Sequence, residues 1–150
     1  MAIVRTAGTE IIRTAHFEEV DSNAQILIFG EQHHIYTVLS VIFFCHSVSS
    51  AGNYLTMLLR GYDSKGGGAN TSPMTIFKNT SMATNSTFVW NDKFSFNGFE
   101  PADFTGPMDD ATKQNAIADQ AGTVQQLEAS SQNGADNYDV HITYIDQNNA

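Results

Sequence analysis

Residues 35–48 form a long and largely apolar stretch, IYTVLSVIFFCHSV. Successive side chains of a strand point to opposite faces. The first row is Ile35, Thr37, Leu39, Val41, Phe43 and Cys45, and the second is Tyr36, Val38, Ile42, Phe44 and Val48. The stretch is shorter than the roughly 20 residues of a membrane-spanning helix. Because both rows avoid water, we expect a strand inside a β-sandwich or one whose outer face is covered by another subunit.

The composition and net charge of the chain disfavour some classes of binding partner. The chain has 150 residues, enough for one domain with its own core. Charged residues make up 15% of the chain, below the roughly 25% typical of globular proteins. The net charge of −9 disfavours binding to nucleic acid or anionic lipid, since both are polyanions. We therefore expect neither nucleic acid nor membrane as a partner.

Cysteine usage and the N-terminus indicate where the chain is made. Cys45 is the single cysteine, so no intrachain disulfide forms, and its apolar surroundings predict a small core residue. The N-terminal segment lacks the uninterrupted apolar run of a secretory signal. We expect a protein made in the cytosol.

Apolar runs separated by turn residues predict strands along most of the chain. They cover residues 3–4, 11–20, 24–29, 35–48, 54–62, 74–78, 87–90, 93–99, 123–129 and 138–145. Residues 35–48 and 54–62 are predicted to form a hairpin. The last strand alternates, with Tyr138, Val140, Ile142 and Tyr144 facing inward. The fold class is all-β, an antiparallel β-sandwich or jelly-roll-like domain.

The domain organisation follows from the same pattern. Residues 1–23 are predicted to be an N-terminal arm or edge strands, and residues 24–150 the sandwich domain. The glycine-rich residues 63–73 are expected at the surface. Residues 100–122 are a long insertion with at most one weak helix, at residues 109–120.

The acidic and histidine residues do not predict a metal site. Asp103, Asp109, Asp110 and Asp119 lack the spacing of a calcium loop, so a solvated acidic face is the favoured interpretation. The adjacent His33 and His34 would point to opposite faces of a strand and would not share one metal ion. We expect neither a metal nor a cofactor.

Catalytic signatures are also missing from the sequence. Ser47, Ser49 and Ser50 lie near His46, but no G-x-S-x-G motif surrounds them. The GGG run lacks the lysine of a phosphate-binding loop. We expect a protein that is not an enzyme.

The aromatic residues leave a carbohydrate-binding surface open as an alternative. Trp90, Tyr54, Tyr62 and Phe99 would supply stacking rings, and the neighbouring polar residues Asn91, Asp92 and Asn97 would supply hydrogen bonds. Aromatic residues in strands are usually packed, so we favour the core for Trp90.

The strand order carries a resemblance to a known class. The segments HHIYTVLSVIFFCHS, YLTMLLRGYD, MTIFKNTSMATNSTFVWNDKFSF and DNYDVHITYID make the layout of residues 32–146 resemble small β-sandwich virion proteins of tailed bacteriophages. The resemblance implies a virion structural protein, first a capsid decoration or cement protein. The alternative is a tail, baseplate or fibre component that binds a carbohydrate or receptor. The insertion departs from the compact turn that such proteins have.

Assembly is the function that this resemblance implies. We expect a homo-oligomer, with a trimer favoured, in contact with the major capsid protein or other virion proteins. The expected interface combines the arm with the second row of the long strand. Its residues are Ile3, Arg5, Ile11, Arg13, Tyr36, Val38, Ile42 and Phe44.

Overall fold

The computed structural model describes residues 8–61, 73–101 and 122–148. This part of the chain contains strands and no helix. The strands are β1 (Thr9–Val20), β2 (Gln25–Phe29), β3 (His34–Ser47), β4 (Leu55–Arg60), β5 (Pro73–Asn79), β6 (Ser86–Trp90), β7 (Phe94–Asn97), β8 (Phe99–Pro101), β9 (Gly122–Val124), β10 (Gln126–Ser131) and β11 (Asn137–Asn148).

Two antiparallel sheets form a sandwich, as the strand pattern predicts. The five-stranded sheet has the order β1-β11-β3-β6, and β7 also pairs with β3. The four-stranded sheet has the order β2-β10-β4-β5, and β8 pairs with β9. Early strands alternate between the two sheets, and sequence-distant strands become neighbours, as in a jelly roll.

The core lies between the two sheets. The five-stranded sheet contributes its inward residues, including Phe43, Val140 and Ile142, and the four-stranded sheet contributes Leu55 and Leu127. Each of these five side chains is fully buried. Cys45 is also fully buried, which confirms its prediction as a core residue.

The predicted alternation of the last strand is confirmed. Tyr138, Val140, Ile142 and Tyr144 are buried, and the residues between them are partly exposed. The alternation continues by one more step, because Asp146 is also inward and fully buried.

The predicted hairpin of residues 35–48 and 54–62 is wrong. β3 pairs with β11, β6 and β7, whereas β4 pairs with β10 and β5 in the other sheet. The turn between β3 and β4 therefore crosses from one sheet to the other. The physical reason is burial: the inward rows of both strands are apolar, and they cover each other only from opposite sheets.

The assignment of faces along the long strand is also corrected. Thr143 pairs with Ser40 and Tyr144 pairs with Val38, so Leu39 is an extra residue in β3. This bulge reverses the alternation. The inward row is therefore His34, Tyr36, Val38, Val41, Phe43 and Cys45. The strand resembled one with two apolar faces because a single buried row changes from even to odd numbers at the bulge.

The N-terminal segment belongs to the sheet from Thr9 onward. β1 pairs with β11 from Thr9 to Val20, and Val20 reaches the core. An arm or edge strands are the two predictions for this segment. Residues 9–20 form an edge strand. The predicted helix at residues 109–120, most of the insertion and the strand at residues 3–4 lie outside the described residues.

Candidate interaction surface

The outer face of the five-stranded sheet is a candidate interaction site. We define it by the side chains of β1, β11, β3, β6 and β7 that point away from the core. Its five rows, read across the paired strands, are Glu10–Gln147–Ile35–Asn97, Ile12–Ile145–Thr37–Ser95, Thr14–Thr143–Ser40, His16–His141–Ile42–Val89 and Asp139–Phe44–Thr87. No other described strand covers these rows.

The centre of the outer face is apolar and uncharged. Ile12 is 70% exposed, Val89 50% and Ile42 38%. The three central rows, those of Ile12, Thr14 and His16, contain only apolar, hydroxyl and imidazole side chains. Charged groups lie at the margin, with Glu10 at one end and Asp139 and Glu18 at the other. The outward face of an antiparallel sheet is normally polar, so exposed aliphatic side chains here are a feature to explain.

Three histidines mark one end of the outer face. The rings of His16 and His141 lie 5.8 Å apart, and Nε2 of His46 lies 2.8 Å from Oδ2 of Asp139. His16 and His141 line a shallow recess of about 130 Å³ with Ile42 and Asp139. Beside it, an open cleft of about 380 Å³ is lined by Glu18, Glu19, His46, Ser47, Asn137 and Asp139.

The eight residues expected at the interface do not form one surface. Ile42 and Phe44 lie on the outer face. Ile11 and Arg13 point to the other side of β1, because they pair with the inward positions Asp146 and Tyr144.

The remaining four expected residues lie elsewhere. Tyr36 and Val38 are 2% and 0% exposed within the sandwich core. The bulge at Leu39 is the reason, because it separates them from the row of Ile42. Ile3 and Arg5 lie outside the described residues.

A buried polar cluster connects the ends of β1, β3 and β11. Asp146 accepts hydrogen bonds from Nδ1 of His34 at 2.7 Å and from Nη1 of Arg13 at 3.2 Å. Nε2 of His34 lies 3.3 Å from Oε2 of Glu31, and the backbone N–H of Glu31 donates to the hydroxyl of Tyr36. The sequence reasoning missed this cluster. Continuing the alternation of the last strand by two residues would have placed Asp146 inside.

The environment of the cluster raises the pKa of two tyrosine hydroxyls. Burial raises the pKa of Tyr36 and of Tyr144, and the nearby Asp146 carboxylate raises both further. Arg13 opposes part of the shift at Tyr144, and its own pKa is raised by Tyr144 and by the hydrogen bond to Asp146. The cluster therefore holds neutral phenols beside a carboxylate and a guanidinium, an arrangement that joins three strands.

A second buried carboxylate holds two turns together. Asp136 is fully buried and accepts hydrogen bonds from the backbone N–H and the hydroxyl of Ser49, at 2.7 and 2.9 Å. Nδ2 of Asn53 donates to the same carboxylate at 3.1 Å. The turn after β3 is thus tied to the turn before β11. The four carboxylates expected to form a solvated acidic face, Asp103, Asp109, Asp110 and Asp119, lie outside the described residues.

The described residues do not form the catalytic pair considered for His46. The hydroxyl of Ser47 donates to the carbonyl of Ala135 at 3.2 Å, and His46 is engaged by Asp139. Within the described ranges, no three His, Cys, Asp or Glu side chains are arranged as metal ligands.

Trp90 packs against the core, as we favoured. Its ring stacks on Phe77 at 5.0 Å, and Phe77 contacts Phe43 and Phe88. The ring is therefore packed against other side chains of the protein. A ring that stacks on a sugar would need an exposed face. Of the other ring positions considered for carbohydrate, Tyr62 lies outside the described residues.

Comparisons with known proteins give the architecture a context. Neither a known family model nor a curated protein sequence matches this chain. A solved structure of Bacillus endospore appendages, which are disulfide-linked pili, aligns with 100% of this chain and 97% of its own at 11% identity and a TM-score of 0.43.

Two virus structures show a similar degree of likeness. A chain of infectious bursal disease virus, Gt strain, aligns with 97% of this chain at 13% identity and a TM-score of 0.44. A chain from T=1 particles derived from infectious bursal virus aligns with 97% at 11% identity and a TM-score of 0.43. This chain spans 33% of the length of each virus chain. Likeness at these values carries no argument about function.

One further result concerns membranes. Among the described residues, no helix has the length and apolar character needed to cross a bilayer.

Proposed function

We propose that this chain is a non-enzymatic structural subunit that works by adhesion through the outer face. In its most specific form, the proposal is a capsid decoration or cement protein of a tailed bacteriophage, located in the virion. Its partners would be sister copies and the major capsid protein or other virion proteins. The specific form rests on the strand layout of residues 32–146, and the adhesive role rests on the outer face.

The single observation that carries the adhesive role is the exposed, uncharged centre of the outer face. Ile12, Ile42 and Val89 lie in water on a surface with no charged side chain in its three central rows. Burial of apolar surface is worth about 25 cal/mol per Å², so covering these side chains favours association. Charged side chains would have to lose their hydration in such a contact, and here they lie at the margin.

The outer face has the dimensions of a stable interface. Four adjacent strands spaced about 4.8 Å apart give a width of roughly 19 Å including their edges. β11 has 12 residues, which at about 3.3 Å per residue gives a length of roughly 40 Å. The product, on the order of 750 Å², is close to the roughly 800 Å² that each partner contributes to a standard interface.

Light scattering of the purified chain tests the proposal. We expect a homo-oligomer, with a trimer the first state to look for, at micromolar concentration. The double variant Ile42→Lys and Val89→Lys should lower the mass toward 16.4 kDa, because two desolvated charges would lie in the contact. Phe29→Lys is the matched control, since Phe29 is 59% exposed on the four-stranded sheet. It should leave the assembly intact.

Two results would contradict the proposal at different levels. A wild-type mass of 16.4 kDa at micromolar concentration would exclude obligate self-association. Electron microscopy of a purified particle decides the more specific form. Density for this chain on the capsid surface supports decoration, and density confined to the tail supports the alternative of a tail, baseplate or fibre component.

A further inference from the structure

The free edge of β1 points to a second contact. β1 pairs with β11 on one side, and no described strand pairs with its other side. We infer that this edge pairs with β1 of a second copy, antiparallel and about a two-fold axis. The inference rests on the proposed self-association and specifies one of its contacts.

The edge has few of the features that usually protect an edge strand from pairing, and its charged side chains are Glu10 and the inward-facing Arg13. Residues 9–17 pair with β11 one for one, without a bulge, and their sequence TEIIRTAHF contains no Pro, Gly or Lys. Natural edge strands are normally blunted by such residues or by bulges. Ile12 is 70% exposed and Ile11 37%, so apolar side chains lie on both sides of the strand. A long, regular and apolar edge of this kind is suited to adding another strand.

The pairing region has defined ends. The register of β1 against β11 shifts between Phe17 and Val20, and Glu19 within this bulge has a left-handed φ of 59°. At the other end, Gly8 has a φ of 81°. The straight part between them is about 30 Å long at roughly 3.3 Å per residue. Pairing beyond Phe17 is opposed by the bulge and by the carboxylates of Glu18 and Glu19.

One register of self-pairing opposes no like charges and also places the most exposed apolar side chain of β1 opposite itself. With Ile12 opposite Ile12 of the second copy, Glu10 faces Thr14 and Ile11 faces Arg13. A shift by one step in one direction places Arg13 opposite Arg13. The opposite shift places Ile11 opposite Ile11 but brings the more exposed Ile12 of each copy against Glu10. Cross-strand apolar pairs stabilise a sheet and directly opposed like charges destabilise it, which selects the first register.

This register also extends the outer face. Ile12 pairs with Ile145 in β11, so the row continues as Ile145 and Ile12 of one copy followed by Ile12 and Ile145 of the other. A two-fold axis perpendicular to the sheet keeps both outer faces on the same side. The contact is separate from a three-fold contact through the outer face. If the two-fold and three-fold axes intersect at right angles, the two contacts together close a hexamer with D3 symmetry.

A disulfide at position 12 tests the contact directly. Opposed residues in an antiparallel pair have Cα atoms about 4.5 to 5.5 Å apart, within the range that a disulfide spans. Ile12→Cys under a mild oxidant should give a covalent dimer for more than about half of the chains on a non-reducing gel. Wild type should give none, because Cys45 is fully buried. Met74→Cys is the matched control, since Met74 is 63% exposed on β5, a strand of the four-stranded sheet, and it should also remain uncrosslinked.

The outcomes separate this inference from the proposed function. If Ile12→Cys stays uncrosslinked while light scattering shows an oligomer, the β1 contact is wrong and assembly through the outer face stands. If Met74→Cys crosslinks as fully as Ile12→Cys, the crosslinking is not specific to the edge and the inference is overturned. Ile12→Lys gives an independent measurement. It should accelerate deuterium exchange of the β1 amides at least several-fold in the assembled protein, and unchanged exchange would contradict the contact.

Discussion

Nδ1 of His34 donates a hydrogen bond to Oδ1 of Asp146 across 2.7 Å, and this contact joins the first residue of β3 to the end of β11. Asp146 is fully buried and His34 is 8% exposed. Arg13 adds a hydrogen bond from β1 to the same carboxylate. Hydrogen bonds of this kind offset the cost of burying a carboxylate. The contact therefore fixes the relative position of three neighbouring strands.

Asp146→Ala should lower the free energy of unfolding by about 2–4 kcal/mol, because it leaves His34 and Arg13 without their shared acceptor. Urea denaturation measures the change. Asp139→Ala is the control, since its bond to His46 involves a histidine side chain that is 48% exposed. Partly exposed pairs contribute up to about 1 kcal/mol. Equal effects of the two variants would contradict a special role for Asp146.

Asp136→Ala should destabilise the chain by about 2–3 kcal/mol, because the backbone N–H of Ser49 loses its acceptor in a part-buried site. Ser49→Ala keeps the backbone N–H bond to Asp136 and removes the two bonds of the hydroxyl, to Asp136 and from Nδ2 of Asn53, and it should cost about 1 kcal/mol. Both values come from denaturant titrations. A loss for Asp136→Ala no larger than that for Ser49→Ala would show that the turns do not depend on this carboxylate.

Gly30→Ala should cost about 3 kcal/mol or more, because the new methyl group would overlap the backbone oxygen atoms of Gly98 and Gln125. These atoms belong to a crossing where Gly30 N–H donates to the carbonyl of Gln125 at 2.8 Å. Gly134→Ala is the control, because its nearest neighbour is the movable hydroxyl of Ser22 at 3.3 Å. It should change thermal stability by less than about 0.5 kcal/mol. A tolerated Gly30→Ala would contradict the close approach.

The tyrosines predict a loss of stability at alkaline pH. Burial raises the pKa of Tyr36, Tyr138 and Tyr144 above the ordinary value of 10. Above pH 10, the unfolded chain releases these protons and the folded chain retains them. The free energy of unfolding therefore falls as the pH rises beyond 10.

Absorbance of the phenolate measures this directly. The chain has five tyrosines, and we expect the three buried ones to ionise only when the protein unfolds. The same titration in guanidinium chloride is the control and should show all five ionising near pH 10. A single transition near pH 10 in the folded protein would contradict the burial of these hydroxyls.

The strands were predictable because their signal is local. Alternation at Tyr138 to Tyr144 and turn residues such as Gly30 are visible in the sequence, and the strand positions agree with the structure to within a few residues. The partners of the strands were not predictable in the same way. β3 and β4 are adjacent in sequence, yet they lie in different sheets, because pairing depends on which apolar rows cover each other.

The candidate site, like the fold, was predictable from the sequence only in part. The sequence determined an all-β chain with a net charge of −9, a core cysteine and an unusually apolar stretch at residues 35–48. Only the tertiary structure decided which of those apolar residues remain exposed. The extra residue Leu39 sends Tyr36 and Val38 into the core and leaves Ile42 on the outer face. A one-residue bulge reverses the faces of a strand, and its position is set by pairing with β11, which lies about a hundred residues away in the chain.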